Sequence, residues 1–331
     1  MTALLEIRDL TVRFGTHAAV QGLSLTVDRG ETLALVGESG CGKSATALSV
    51  LRLLPASATM GGQILFDQQD VLGLSDRALR RLRGGAISMI FQEPMTALNP
   101  VLTIGSQIAE AIREHEAISR RAAHARAIEL LDLVRIPDPH RRAEEFPYRL
   151  SGGMRQRVMI AIAVACQPRL LIADEPTTAL DVTIQAQVLE LLDRLRREMS
   201  MALLLITHDL GVVVDWADRV VVMYAGRVCE EAPATTLFQA PRHPYTQGLI
   251  ACSPKLGAGL HYRTGRLTEI RGTIASAAGE AGCLFAPRCA SAQPACRDRR
   301  PDPVLLLQDD AHRLACPVHA QAHSETTLAV G

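Results

Sequence analysis

Gly37-Glu38-Ser39-Gly40-Cys41-Gly42-Lys43-Ser44 is a glycine, four residues, then Gly-Lys-Ser, the spacing of a phosphate-binding P-loop. The apolar run Thr32-Leu33-Ala34-Leu35-Val36 before it predicts a buried strand, and residues 45–51 after it predict a helix. Strand, glycine-rich loop and helix form the context in which the pattern carries a mechanism. The glycines let the backbone curl, so that N–H groups along Gly37, Ser39, Gly40, Cys41 and Gly42 point at phosphate oxygens. The helix start adds its positive end. Lys43 is placed to reach the β- and γ-phosphates, and the Ser44 hydroxyl to ligate Mg²⁺. A turn that merely joined strand to helix would need neither Lys followed by Ser nor this spacing. The loop alone says only that nucleotide phosphates bind.

Working outward, Arg169-Leu170-Leu171-Ile172-Ala173-Asp174-Glu175-Pro176 is an apolar strand ending in two carboxylates. With a P-loop in the same chain, Asp174 is expected to hold Mg²⁺ through water and Glu175 to accept a proton from the attacking water. Residues 87–91 form a second apolar strand, ending at Gln92, whose amide can hold Mg²⁺ or its water; in isolation it would be ordinary strand-end polarity. Residues 202–206 are another, followed by Thr207-His208-Asp209, where His208 could contact the γ-phosphate. Ser151-Gly152-Gly153 opens the apolar helix that includes residues 158–166; Ser151 reads as its N-cap, and the two glycines leave free N–H groups for an anion. Phe14, ending the first strand, offers a flat face for an adenine ring, or is simply a core aromatic.

Alternating strands and helices predict an α/β fold with a largely parallel sheet. Residues 4–14 and 23–27 alternate with period two and suit an antiparallel sheet with one face exposed. From about 94 to 165 the period becomes helical, with Ile104, Ile108 and Ile112 four apart, a helical insertion in the α/β core. Arginines crowd residues 76–85, a solvated face. Lys+Arg and Asp+Glu both count 35, so the chain has no net charge with which to attract nucleic acid or anionic membrane generally. Aromatics at 3% are too few for a base-stacking platform. No leader pattern opens the chain, and no uncharged apolar run is long enough to span a bilayer.

Taken together, Phe14, the loop at 37–44, Gln92, residues 150–157, Asp174-Glu175, Leu180-Asp181 and His208 resemble, in order and role, the ATP-binding-cassette (ABC) ATPases, over about residues 4–250. Within them, Phe91-Gln92-Glu93-Pro94-Met95-Thr96-Ala97-Leu98-Asn99-Pro100, Pro241-Arg242-His243-Pro244-Tyr245-Thr246 and a cysteine-rich tail resemble the ATPase subunits of oligopeptide/dipeptide importers, which also carry nickel and glutathione. The resemblance implies an ATPase domain over residues 1–252 and an extension over 253–331. It implies that two cassettes pair head to tail, so that Ser151-Gly152-Gly153 acts on the partner's ATP, and that Asp181 stands at the D-loop. It implies a paralogous second cassette, two membrane permease subunits, a periplasmic or lipid-anchored substrate-binding protein, and work on the cytoplasmic face of a bacterial inner membrane. Cys41 departs from the family's usual Ser, which suggests sensitivity to thiol reagents. The alternative is a soluble ABC ATPase acting on nucleic acid or ribosomes. Such proteins usually carry two cassettes in one chain, a long coiled coil or large zinc insertions, and none appears here.

In the tail, Cys283, Cys289, Cys296 and Cys316 are spaced x5, x6 and x19. Four thiolates suit a [4Fe–4S] cluster or a structural Zn²⁺. The absence of Cys-x2-Cys pairs, and the resemblance, favour the cluster in a structural role, with His312 and His319 as fallback ligands. A strand pair is expected near residues 267–274.

Overall fold

A computed structural model of the chain describes residues 3–92, 97–178, 181–252, 269–306 and 309–319. By its internal contacts the chain forms two units, one of residues 1–5, 26–31 and 65–206, the other of residues 6–25, 32–64 and 207–331.

The second unit contains the P-loop. Three of its strands are β1 (Leu5–Phe14), β2 (His17–Val27) and β4 (Ala58–Phe66), which lie in one sheet in the order β2-β1-β4. The alternation of β1 breaks at Arg8 and Asp9, both exposed. Asp9 adopts φ +48°, and its N–H donates to Ser24 Oγ at 2.9 Å, so a local irregularity explains why the period-two pattern is loose there. β3 (Thr32–Val36) is buried along its whole length and runs parallel to β9 (Arg219–Tyr224). Strands buried on both faces read as continuous apolar runs, as these do. β9 pairs antiparallel with β10 (Arg227–Pro233), β10 with β12 (Asp309–Leu314), and β12 with β11 (Val304–Leu306). The last two strands, within residues 304–314, are absent from the sequence expectation. No strand covers the described part of 267–274: residues 269–273 are irregular and Ile274–Ala277 is a 3₁₀ turn, while 267 and 268 lie outside the described residues.

The first unit contains the expected parallel strands β6 (Ile87–Ile90), β7 (Leu170–Asp174) and β8 (Ala202–Thr207), paired in that order. Within this unit, Leu65 and Phe66, the last two residues of β4, pair antiparallel with the short β5 (Gln69–Asp70). The insertion is helical as expected: Ile104–His115, Arg120–Leu133, Pro139–Ala143 and Gly152–Val164. Ile104, Ile108 and Ile112 are fully buried on one stripe of the first. Thr103, Ser119 and Ser151 cap three of these helices, each accepting the N–H of the third residue onward. Asp76–Leu82 carries the arginines, with Arg77, Arg80 and Arg81 exposed.

Candidate functional site

The loop of residues 37–44 is built so tightly that two of its glycines have no substitute. Gly37 has φ +153°, and a Cβ there would lie 2.3 Å from the Met223 carbonyl oxygen. Gly42 has φ +105°, with a Cβ 2.4 Å from the Ala19 carbonyl oxygen, and it begins the helix Lys43–Val50. Gly226 N–H, just past β9, donates to the Cys41 carbonyl at 2.8 Å and ties the loop to the sheet. Lys43 is buried, its Nζ donating to the Gly37 and Glu38 carbonyls at 2.8 and 3.1 Å. Cys41 is fully buried, and burial pushes its thiol pKa up. A buried neutral thiol reacts slowly, which argues against the expected sensitivity to thiol reagents.

In the other unit, β7 delivers Asp174, which is buried, and then Glu175, which turns the chain at φ +47°. A non-glycine residue in this left-handed region costs about 1 kcal/mol or more and is held by its surroundings. Here the Glu175 N–H donates to the Ile206 carbonyl at 2.9 Å, and its Oε2 accepts from Gln92 Nε2 at 3.0 Å and from Thr178 Oγ1 at 2.9 Å. Gln92 and Glu175, 83 residues apart in the chain, therefore meet because β6 and β7 are neighbours.

Ser151 Oγ accepts the Met154 N–H at 3.3 Å, and Ser151 and Gly152 are exposed at the helix start. A Cβ on Gly153 would sit 3.0 Å from Ile184, so the second glycine also permits close packing on the helix Val182–Glu198. Asp181 caps that helix, accepting from the Thr183 and Ile184 N–H groups at 3.1 and 3.0 Å. His208 is exposed directly after β8, and Phe14 is half-buried at the end of β1. Residues 93–96 of the importer motif and Leu180 lie outside the described residues.

The ABC transporter family model matches residues 20–178, and a model of the oligopeptide/dipeptide transporter C-terminal region matches residues 229–296. The chain is 51% identical to y4tR of Sinorhizobium fredii, named a probable peptide ABC transporter ATP-binding protein, over 95% of this chain and 94% of that one. It is 46% identical to the dipeptide transport ATP-binding protein DppD of Bacillus subtilis, over 99% and 98% of the two chains. The chain belongs to the ATP-binding subunits of the peptide ABC importers. A solved dimeric ATP-binding cassette in a post-hydrolysis state, bound to ADP and Pi, superposes with a TM-score of 0.62 at 28% identity, covering 70% of this chain and 98% of that one. This importer subunit has the P-loop ABC ATPase fold, and it is an ATP-binding and ATP-hydrolysing enzyme. Among its described residues no helix is long and apolar enough to cross a membrane.

The importer subunit's cysteines require a correction. Cys283, Cys289, Cys296 and Cys316 line one small cavity, but among the described residues no three His, Cys, Asp or Glu side chains are placed to hold a metal ion together. This arrangement does not match the expected [4Fe–4S] cluster, nor Zn²⁺ as its substitute. The thiols pack as apolar side chains instead: Cys283 and Cys289 lie against the core that holds Tyr224, Tyr245 and Phe285, and Cys316 packs with Leu306 and Leu314. Burial pushes the Cys283, Cys289 and Cys316 thiols up, away from the thiolate a ligand must be. His312, a fallback ligand, donates instead to buried Glu230 at 2.8 Å.

Residues whose structural task no motif announces join the C-terminal part of the chain to the phosphate-binding loop. Phe285 is buried against Tyr224 and Tyr245, with ring centroids 5.2 Å from each. Burying such a ring contributes about 1.5–3 kcal/mol. Tyr245 Oη accepts the Glu38 N–H at 2.9 Å, and the Glu38 carboxylate is gripped by Arg288. Buried Glu230 accepts the Arg242 and His243 N–H groups at 2.7 and 3.0 Å. Burial pushes its carboxyl up, but hydrogen bonding to it, from His312 first, outweighs that and holds it below the usual range. The signal available beforehand was the Pro241–Thr246 motif, read as a family mark without a physical task.

Proposed function

We propose that this chain hydrolyses ATP to drive import of di- or oligopeptides through membrane permease subunits, paired with a second cassette and served by a substrate-binding protein. The observation that carries the reading is the Gln92–Glu175 contact beside Asp174, in a chain whose near full-length relatives are named for peptide transport.

In this reading the N–H groups of residues 37–42 and the helix start at Lys43 hold the phosphates, and Lys43 moves from the loop carbonyls to the phosphoryl oxygens, where it stabilises developing charge. Ser44, Gln92 and Asp174 supply a hydroxyl, an amide oxygen and a carboxylate, an all-oxygen set that suits Mg²⁺. When bound, the ion supplies neutralisation of phosphate charge. Glu175, oriented by Gln92 and Thr178, accepts the proton of the attacking water, and His208 positions that water. Phe14 stacks on the adenine. Ser151, Gly152 and Gly153 present free N–H groups to the ATP held by the partner cassette, and Asp181 braces that helix boundary. Closure of the two cassettes around ATP and reopening after hydrolysis would be passed to the permeases.

Two variants test the assignment by splitting binding from turnover. Lys43→Ala is expected to lose ATP affinity. Glu175→Gln is expected to bind ATP as the wild type does and to lose turnover by roughly 10²–10⁴-fold, the usual contribution of a positioned base. Near-normal turnover in Glu175→Gln would mean that the base is another residue.

A further inference from the structure

We infer that Arg288, in the C-terminal extension, is a positioning residue for the phosphate-binding loop: it neutralises Glu38 and fixes it, and so sets the affinity for ATP. The inference rests on the reading of residues 37–44 as the phosphate site.

Glu38 follows Gly37 directly, and three of its groups are held. Its N–H donates to Tyr245 Oη at 2.9 Å, and its carbonyl accepts Lys43 Nζ at 3.1 Å. Its carboxylate accepts two parallel bonds from Arg288, Nη1 to Oε2 at 2.8 Å and Nη2 to Oε1 at 2.9 Å. The fork is the geometry in which guanidinium and carboxylate bind most strongly. Arg288 is itself pre-set: its side chain is 3% exposed. Its Nε donates to the Arg271 carbonyl at 2.8 Å and its Nη2 to that of Ile270 at 3.2 Å. The Tyr224 and Phe285 ring centroids lie 5.6 and 5.9 Å from its Cζ.

The charge pattern gives the arrangement its consequence. A carboxylate at the second position of a loop that binds a triphosphate repels the ligand, and a partly desolvated setting screens that repulsion less than water does. Arg288 cancels the carboxylate. A residue that only braced the fold would also act through this ion pair, but its loss would lower the melting temperature without a salt-dependent rise in KM.

The test is a double-mutant cycle on the full chain in complex with its permease and cassette partners, reading KM for ATP and kcat for Arg288→Met, Glu38→Gln and the pair. Arg288→Met is expected to raise KM about tenfold while kcat stays within about threefold. That rise should shrink as salt goes from about 50 mM to about 500 mM, because the repulsion is screened. In the Glu38→Gln background the same substitution should change KM by less than about threefold, because no carboxylate remains to neutralise. Arg288→Lys, which keeps the charge and loses the fork, should fall between; it replaces Arg288→Met in the cycle if that variant does not fold. An equal KM rise in both backgrounds, or no rise in either, overturns the inference. The Lys43→Ala variant separates the two levels: if it binds ATP normally, the reading of the loop fails, whatever Arg288 does.

Discussion

Gln92 Nε2 donates to Glu175 Oε2 at 3.0 Å, joining the end of one buried parallel strand to the end of the next. Glu175 holds a left-handed backbone at φ +47° to make this contact, with Thr178 as a second donor to the same oxygen. Both donors are neutral groups on separate segments, and together they orient the oxygen they share.

Removing one of those donors is expected to cost turnover before affinity. Gln92→Ala should lower kcat by roughly tenfold, the equivalent of one hydrogen bond to a charged group. ATP affinity measured in the same preparation should change less. Equal losses in both would place Gln92 in ground-state binding.

The loop glycines make a steric prediction. Gly37→Ala puts a methyl group 2.3 Å from the Met223 carbonyl oxygen, a backbone atom that cannot swing aside. Gly42→Ala does the same against Ala19 at 2.4 Å. Either should destabilise the fold by at least about 1–3 kcal/mol and abolish ATP binding. Thermal melting and nucleotide titration read the two effects, and an unchanged melt would contradict the loop geometry. Gly40 has φ +80° but nothing within 4 Å, so its alanine variant should show backbone strain alone and be the mildest of the three.

Cys41 should resist modification in the native protein. It is fully buried and its thiol is pushed up by burial, whereas Cys166 and Cys252 are only half-buried. Maleimide should label the half-buried thiols, Cys283 and Cys289 among them, before Cys41 and leave ATPase activity largely intact, and Cys41→Ser should retain turnover. Rapid loss of activity that Cys41→Ser prevents would show an accessible loop thiol.

His243 sets a pH dependence of stability. Its ring is buried, its Nδ1 accepts the Tyr245 N–H at 3.1 Å, and burial lowers its pKa from 6.5 to about 4. Between those values the unfolded chain binds the proton and the folded chain does not, so stability rises with pH across the window and is lost as pH falls. The gap corresponds to roughly 3 kcal/mol. Glu230, held low, adds its own loss only as pH falls from the ordinary carboxylate range through its lower value. His243→Asn, which can still accept the N–H, should flatten the melting temperature between about pH 4 and 6.5. The same slope in wild type and variant would assign the effect elsewhere.

The buried strands were legible because strands covered on both faces print continuous apolar runs, and the loop after β3 and the carboxylates after β7 stand at the ends of such runs. Ile104, Ile108 and Ile112 likewise announced their helix. The extension was not legible. β12 carries mostly polar residues, Asp309-Asp310-Ala311-His312-Arg313-Leu314, and is a strand because β10 offers it an edge. Arg288 reads as one arginine among many until the fold sets it 250 residues back against Glu38. Four cysteines in a short stretch suggested a metal, whereas the fold spends Cys283 and Cys289 on one core and Cys316 on another.

The most direct test of the central claim is ATP turnover by the complex purified with its membrane partners, with the binding protein added empty and then loaded with dipeptides or longer peptides. Turnover should rise with a peptide-loaded binding protein and vanish in Glu175→Gln. Turnover indifferent to every loaded binding protein, or purification without any membrane partner, would contradict a peptide importer and favour an ATPase that works free of the membrane.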